Sequence, residues 1–299
     1  MKANNVVIPT QNARHLFDHY RLVPKGARLL IPTPNKEGSY RFPDGEIYLR
    51  LPGLSDVKNI IIVHSGYPDP NSGLIELRMM LDIIERQAGG TIEVIVIFTT
   101  MPYARQDNDW YDGEINAAET LLMDLAHNYS CVKKIFTFDV HFAKKSWTKD
   151  LPLSFENIPF SEVMRNYAQR KHPGIIFMAP DAGSARRAEI KGAKKKRKNS
   201  YDVQVDLSEE FANIVKGQVI GVVDDILSTG TTLERFYHEA KRCGAKKVYA
   251  FITHGVNQSG IDRISALYDG LYLSDTINVK NPAVTIAPVL ANAIKMSFE

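Results

Sequence analysis

The chain has 299 residues, 44% of them hydrophobic and 24% charged, a length that suits one large domain or two ordinary ones of about 150 residues. With 19 glycines and 15 prolines it is neither collagen-like nor low in complexity, and its apolar content is too high for a disordered chain. Lys and Arg number 37 against 34 Asp and Glu; a formal charge of +3 excludes whole-surface attraction to nucleic acid or anionic membrane and leaves any cationic site local.

Two cysteines, Cys131 and Cys243, supply neither a disulfide framework nor a thiolate metal cluster, which favours a reducing compartment. The opening residues MKANNVVIPT lack the apolar core of a signal peptide, and no window reaches the roughly 18 apolar residues of a membrane span. A cytoplasmic protein is expected.

Along the chain, short Val- and Ile-rich runs predict strands at Ile60 to Val63, Val94 to Phe98, Ile135 to Phe138, Ile175 to Met178, Val219 to Val223 and Val248 to Ile252. Their lack of alternation suits parallel sheets covered on both faces. Leu74, Leu77, Leu81, Ile84 and Ala88 mark one face of a helix after the first run, with Met79 and Met80 as core filler. Further helices are predicted from Glu114 to about His127 and from Thr232 to about Arg242, the latter ended by Gly244. The βα alternation occurs before and after a polar stretch near Lys144 to Asn157. The expectation is therefore an α/β protein of two similar domains, 1–149 and 150–299, each a mainly parallel sheet flanked by helices. In such sheets ligands gather at the carboxyl ends of the strands.

One such end reads Val222-Val223-Asp224-Asp225-Ile226-Leu227-Ser228-Thr229-Gly230-Thr231-Thr232. Ser228, Thr229, Thr231 and Thr232 offer hydroxyls, Gly230 lets backbone approach an anion, and the following helix presents free N–H groups at a positive dipole end. That is a phosphate cradle. The adjacent carboxylates call for polyhydroxyl groups, a cation, or both, so a sugar phosphate satisfies the whole segment. The alternative is a plain strand-to-helix turn capped by Thr231 or Thr232. No G-x-x-x-x-G-K-[ST] is present.

This loop resembles the phosphoribosyl-diphosphate (PRPP) motif of phosphoribosyltransferases and of the ribose-phosphate pyrophosphokinase (PRPP synthetase) family. The amino-terminal half separates the two, for Phe42-Pro43-Asp44-Gly45-Glu46-Ile47-Tyr48, Pro102-Tyr103-Ala104-Arg105-Gln106-Asp107 and Phe138-Asp139-Val140-His141 follow the order of the synthetases. Asn71 with Glu76-Leu77, Pro180-Asp181-Ala182-Gly183, Thr253-His254-Gly255-Val256 and Asp275-Thr276 extend the likeness from about residue 7 to 276. The resemblance implies two phosphoribosyltransferase-type domains and transfer of the diphosphoryl group of ATP to the anomeric hydroxyl of ribose 5-phosphate, giving PRPP and AMP. It implies that Asp224, Asp225 and Ser228 to Thr232, Gly230 included, hold ribose 5-phosphate. Arg105, Gln106, Asp107 and His141 would bind ATP together with Phe42, Asp44 and Glu46 from a neighbouring subunit of a homo-oligomer, and Mg2+ would lie near Asp139, His141 and Asp181. Taken alone, His141 is as well read as a structural histidine, and Arg105 and Gln106 as exposed loop residues.

The run Lys194-Lys195-Lys196-Arg197-Lys198 has three readings: a solvated loop, a nucleic-acid or nuclear-import patch, or the catalytic loop whose cations stabilise the transferring phosphoryl group. Lys195 and Arg197 fit the family's Lys-x-Arg spacing; Lys194 with Lys196 and Lys196 with Lys198 stay open. Nucleic acid and membranes are the least favoured partners. The chain departs from the family in two places. Asn108, not a basic residue, follows Arg-Gln-Asp, so a phosphate contact is missing or supplied elsewhere, and only 13 residues separate Asp181 from Lys195. Two other functions compete: a phosphoribosyltransferase using PRPP, and a catalytically silent homologue that regulates true synthetases.

Overall fold

The computed structural model describes residues 4–88, 91–180, 194–197, 203–206 and 209–299, with backbone alone at 88, 194–197, 203–206 and 209–210. Six strands form the first sheet: β1 (Asn5–Pro9), β2 (Ala27–Leu29), β3 (Asn59–Ser65), β4 (Glu93–Thr100), β5 (Val132–Phe138) and β6 (Ser154–Ile158), in the order β2-β1-β3-β4-β5-β6. Every pairing is parallel. Helices α1 (Arg14–His19), α2 (Pro70–Ala88) and α3 (Ala117–Asn128) accompany it. Val6, Ile8, Ile60, Ile62, Val94, Val96 and Phe98 meet Leu77, Leu81, Ile84 and Leu122 in one core, because near-continuous apolar strands need both faces covered.

The second sheet has the order β12-β11-β10-β7, again all parallel. Its strands are β7 (Ile176–Met178), β10 (Val219–Leu227), β11 (Lys247–Gly255) and β12 (Gly270–Leu273), with helices α4 (Ser161–Lys171), α5 (Glu209–Val215), α6 (Thr231–Arg242) and α7 (Gln258–Leu267). Val222, Ile252, Leu233, Phe236 and Ile264 lie in its core. A separate antiparallel hairpin joins β8 (Lys194–Arg197) to β9 (Val203–Asp206), pairing Lys195 with Val205 and Arg197 with Val203.

All six predicted strands are present, and Met80 is fully buried as expected of core filler. Three features differ. The helix expected from Glu114 starts at Ala117, because Asn116 caps it through the Glu119 N–H while the Glu114 carboxylate accepts from the amides of Trp110 and Tyr111. The polar stretch near Lys144 to Asn157 is not all connection: Ser154–Ile158 pairs with β5 as an edge strand, the position where exposed polar residues are tolerated. The basic run is a paired strand at Lys194–Arg197.

By contacts the chain falls into two units, one of Met1–Ile158, Thr276–Asn278 and Ile286–Glu299, the other of Pro159–Asp275 and Val279–Thr285. The last helix, α8 (Ala287–Met296), thus clusters with the first sheet. In that unit the Thr276 carbonyl accepts from Thr99 Oγ1 at 2.8 Å and Ser65 Oγ at 3.3 Å, which pairs buried hydroxyls at the ends of β3 and β4.

Candidate active site

In the second unit the carboxyl end of β10 carries Asp224 and Asp225. Being consecutive in a regular strand, they leave it on opposite faces; Asp225 is buried and Asp224 partly exposed. The strand runs on into Ser228 and Thr229, and Gly230 takes a left-handed conformation, φ 79°, as N-cap of α6. No side chain caps α6, so Thr231 and Thr232 do not act as its cap and the N–H groups of its first turn keep their donors. Thr229 and Thr231 are exposed, with their hydroxyls 3.2 Å apart. An anion entering here meets hydroxyls, backbone N–H groups and a helix dipole together.

The loop is shaped from below by α7. A β-carbon on Gly260 would fall 1.7 Å from the Ser228 carbonyl oxygen, and one on Gly230 2.9 Å from Ile264. Asn257 caps α7 by accepting from the Gly260 N–H, and Val256 N–H donates to Leu227 O. Sequence reasoning missed Gly260: glycine on a helix has no local signature when its reason is a distant carbonyl.

In the first unit, the loop after β4 carries Arg105, Gln106 and Asp107. Tyr103 has φ 59°, and its carbonyl accepts from Gln106 N–H; the Gln106 carbonyl in turn accepts from Ala118 N–H at the head of α3. Arg105 is exposed, Gln106 half-buried and Asp107 buried. The loop after β5 holds Asp139, at φ 38°, and His141. Two bonds to β6 pin it: Asp139 N–H to Ile158 O at 3.0 Å and Val140 N–H to Asn157 Oδ1 at 2.8 Å. Asn157, at the end of the polar stretch, carries no motif that marks it in the sequence. Lys145 closes the gap between the loops, its Nζ 2.7 Å from Asn108 Oδ1 and 3.4 Å from Asp107 Oδ2.

Phe42, Asp44 and Glu46 lie together on a tight exposed turn. Phe42 N–H donates to Glu46 O, Gly45 sits at φ 94°, and Asp44 Oδ1 accepts from Glu46 N–H. Arg41 fastens the turn through Asp69 at 3.1 Å. Phe42 is 44% exposed, an unusual position for a phenyl ring on a turn tip. Deeper in this unit, burial pushes the Glu76 carboxyl up to about 7, while both its oxygens accept from Gln11 N–H; burial pushes His64 down to about 3.

The structure brings together Arg105, Gln106 and Asp107 on one loop, Asp139 and His141 on the next, and Asp224 to Thr232 around one helix start. Asp181 lies outside the described residues, and of Lys195 and Arg197 only the backbone is described. Among the described residues no three His, Cys, Asp or Glu side chains converge as a metal cage.

A ribose-phosphate pyrophosphokinase of Pyrococcus furiosus is 32% identical over 266 residues, 85% of this chain and 90% of that relative. The chain belongs to the ribose-phosphate pyrophosphokinase family. A family model described as the N-terminal domain of ribose phosphate pyrophosphokinase matches residues 27–125, and one described as a phosphoribosyl transferase domain matches 178–286. The enzyme of the same name from Thermococcus kodakarensis is 30% identical over 84% of this chain and 89% of its own. A solved structure of phosphoribosylpyrophosphate synthetase from Mycobacterium smegmatis superposes with a TM-score of 0.79 at 23% identity, covering 99% of both chains. Both parallel sheets are therefore those of phosphoribosyltransferase-type domains, and the chain is an enzyme of the pyrophosphokinase family.

Proposed function

We propose that this protein is a ribose-phosphate diphosphokinase, joining the diphosphoryl group of ATP to ribose 5-phosphate. The carrying observation is the first unit. A phosphoribosyltransferase is accounted for by the second unit alone, whereas residues 27–125 match a domain described by the pyrophosphokinase name.

The anomeric hydroxyl oxygen attacks the β-phosphorus of ATP, the bond from that phosphorus to the oxygen bridging the α-phosphate breaks, AMP departs and the hydroxyl proton is released. Ser228 to Thr232 hold the 5-phosphate through hydroxyls and the free N–H groups of α6, and Asp224 and Asp225 hold the ribose hydroxyls or a cation on them. Arg105, Gln106 and Asp107 receive the nucleotide, Arg105 through its planar fork of donors. The exposed turn of Phe42, Asp44 and Glu46 serves the nucleotide site of a neighbouring copy in a homo-oligomer. Lys195 and Arg197 neutralise charge on the group in flight.

Asp139 and His141, with Asp181, would hold Mg2+. One imidazole and few carboxylates fit a cation that keeps most of its waters and takes substrate phosphate oxygens as ligands, and the pinned backbone of the β5 loop holds both donors in one short segment. Bound there, Mg2+ supplies charge neutralisation of the polyphosphate. The cytoplasm, where ATP is available, suits the reaction, and no helix among the described residues is long and apolar enough to cross a membrane.

The test is to incubate the protein with Mg2+, ribose 5-phosphate and ATP labelled at the β-phosphate. Label in PRPP with stoichiometric AMP is expected; binding of both substrates without AMP formation overturns the proposal in favour of a silent homologue.

A further inference from the structure

We infer that Lys145 is the positioning residue of the nucleotide site, clamping the loop that carries Arg105 to the loop that carries Asp139 and His141. The inference rests on the reaction proposed above and adds a residue to it.

The two loops leave adjacent parallel strands, since β4 pairs with β5 from Val94↔Val132 to Phe98↔Thr137. Neighbouring loops at a carboxyl edge have no backbone ladder between them, so their spacing depends on side chains. Lys145 bridges them: its ammonium donates to Asn108 Oδ1 at 2.7 Å and lies 3.4 Å from Asp107 Oδ2. Both ends are anchored. At the root, Lys145 N–H donates to Phe142 O at 2.9 Å and its carbonyl accepts from Thr148 Oγ1 at 2.7 Å. Phe142, 1% exposed, packs on Trp147 and Phe155 with ring centres 4.8 and 5.7 Å away. At the head, the Asp107 side chain is 11% exposed and Lys145 33%, so the pair is largely withdrawn from water and from screening salt.

A carboxylate so placed needs its cation: breaking a buried pair from one side strands the remaining charge. Without Lys145, Asp107 must turn towards water, and Arg105, two residues earlier on an exposed loop, moves with it. The loop proposed to hold ribose 5-phosphate belongs to the other unit.

The test compares Lys145→Ala, Lys145→Met and Lys145→Arg with the wild-type full-length protein, measuring ATP affinity by equilibrium binding, steady-state kinetics for both substrates, and the melting temperature. Lys145→Ala and Lys145→Met should weaken ATP binding about tenfold or more, raise the KM for ATP in step, and leave the KM for ribose 5-phosphate within about twofold. Lys145→Arg should restore ATP binding to within about threefold, since it keeps the charge and the donors. In a cycle with Asn108→Ala, the double variant Lys145→Ala/Asn108→Ala should be no worse than Lys145→Ala alone. Unchanged ATP affinity, equal losses for both substrates, or additive effects with Asn108→Ala would each overturn the clamp. If the Ala variant does not fold, the Met variant, which keeps the apolar stem, carries the comparison. A wild-type protein that binds ATP but makes no AMP would overturn the reaction while leaving the binding test of Lys145 intact.

Discussion

The Ser228 carbonyl oxygen occupies the place where a β-carbon of Gly260 would be, 1.7 Å from it. A loop thus rests on helix backbone. In Gly260→Ala the helix and loop must part by more than about 1 Å to reach ordinary contact, and the KM for ribose 5-phosphate should rise about tenfold or more. Kinetics with varied ribose 5-phosphate check this, with ATP binding, proposed for the other unit, as the internal control; an unchanged KM would show that the helix, not the loop, yields.

Asn157 holds the β5 loop through a single acceptor for the Val140 N–H. Asn157→Ala leaves that donor without its partner at a cost of about 1–3 kcal/mol. Turnover should fall and a higher Mg2+ concentration should be needed for half-maximal rate, measured by magnesium titration at saturating substrates.

Replacing Lys195 or Arg197 by Ala should lower turnover by orders of magnitude, about 10² or more, and leave ribose 5-phosphate affinity nearly intact. Wild-type rates in both variants would move the charge-neutralising role to another part of the basic run.

If the exposed turn of one copy completes the site of another, two inactive variants should rescue each other. Mixing Asp44→Ala/Glu46→Ala protein with Arg105→Ala protein, then allowing subunits to exchange, builds some sites with an intact turn from one and an intact loop from the other. Recovered activity is the expected outcome, and its absence after demonstrated exchange argues for sites built within one chain.

Glu76 makes stability depend on pH. Its folded pKa is raised, from 4.5 to about 7, so the fold favours the protonated acid: this contribution is complete below about 4.5 and is lost as pH rises through 7. Glu76→Gln keeps an acceptor for Gln11 N–H and cannot ionise. Relative to wild type it should gain about 3 kcal/mol between pH 4.5 and 8, measured by urea unfolding across that range; parallel pH profiles would refute it.

Much of this protein is legible from local pattern. Six apolar runs predict six strands because a strand buried on both faces needs no alternation, and Asp224 to Thr232 is read as an anion loop because strand, glycine and helix start are contiguous. Arg105 and His141 stand out only through the resemblance of their segments to the family, although His141 also lies close after such a run. Ser154 to Ile158 hides as a linker because an edge strand has polar positions, and only its partner β5 reveals it.

The sequence by itself determined the two parallel α/β sheets and the family, and it singled out the segments proposed to face ligand, all from residues close together along the chain. The tertiary structure decided the supports: Gly260 beneath Ser228, Asn157 behind Val140, Lys145 across to Asp107, and helix Ala287–Met296 returning to the first unit. Each joins residues 17 or more positions apart, or far segments of the chain. Such pairings depend on steric fit and charge compensation in the packed fold, and no local pattern carries them.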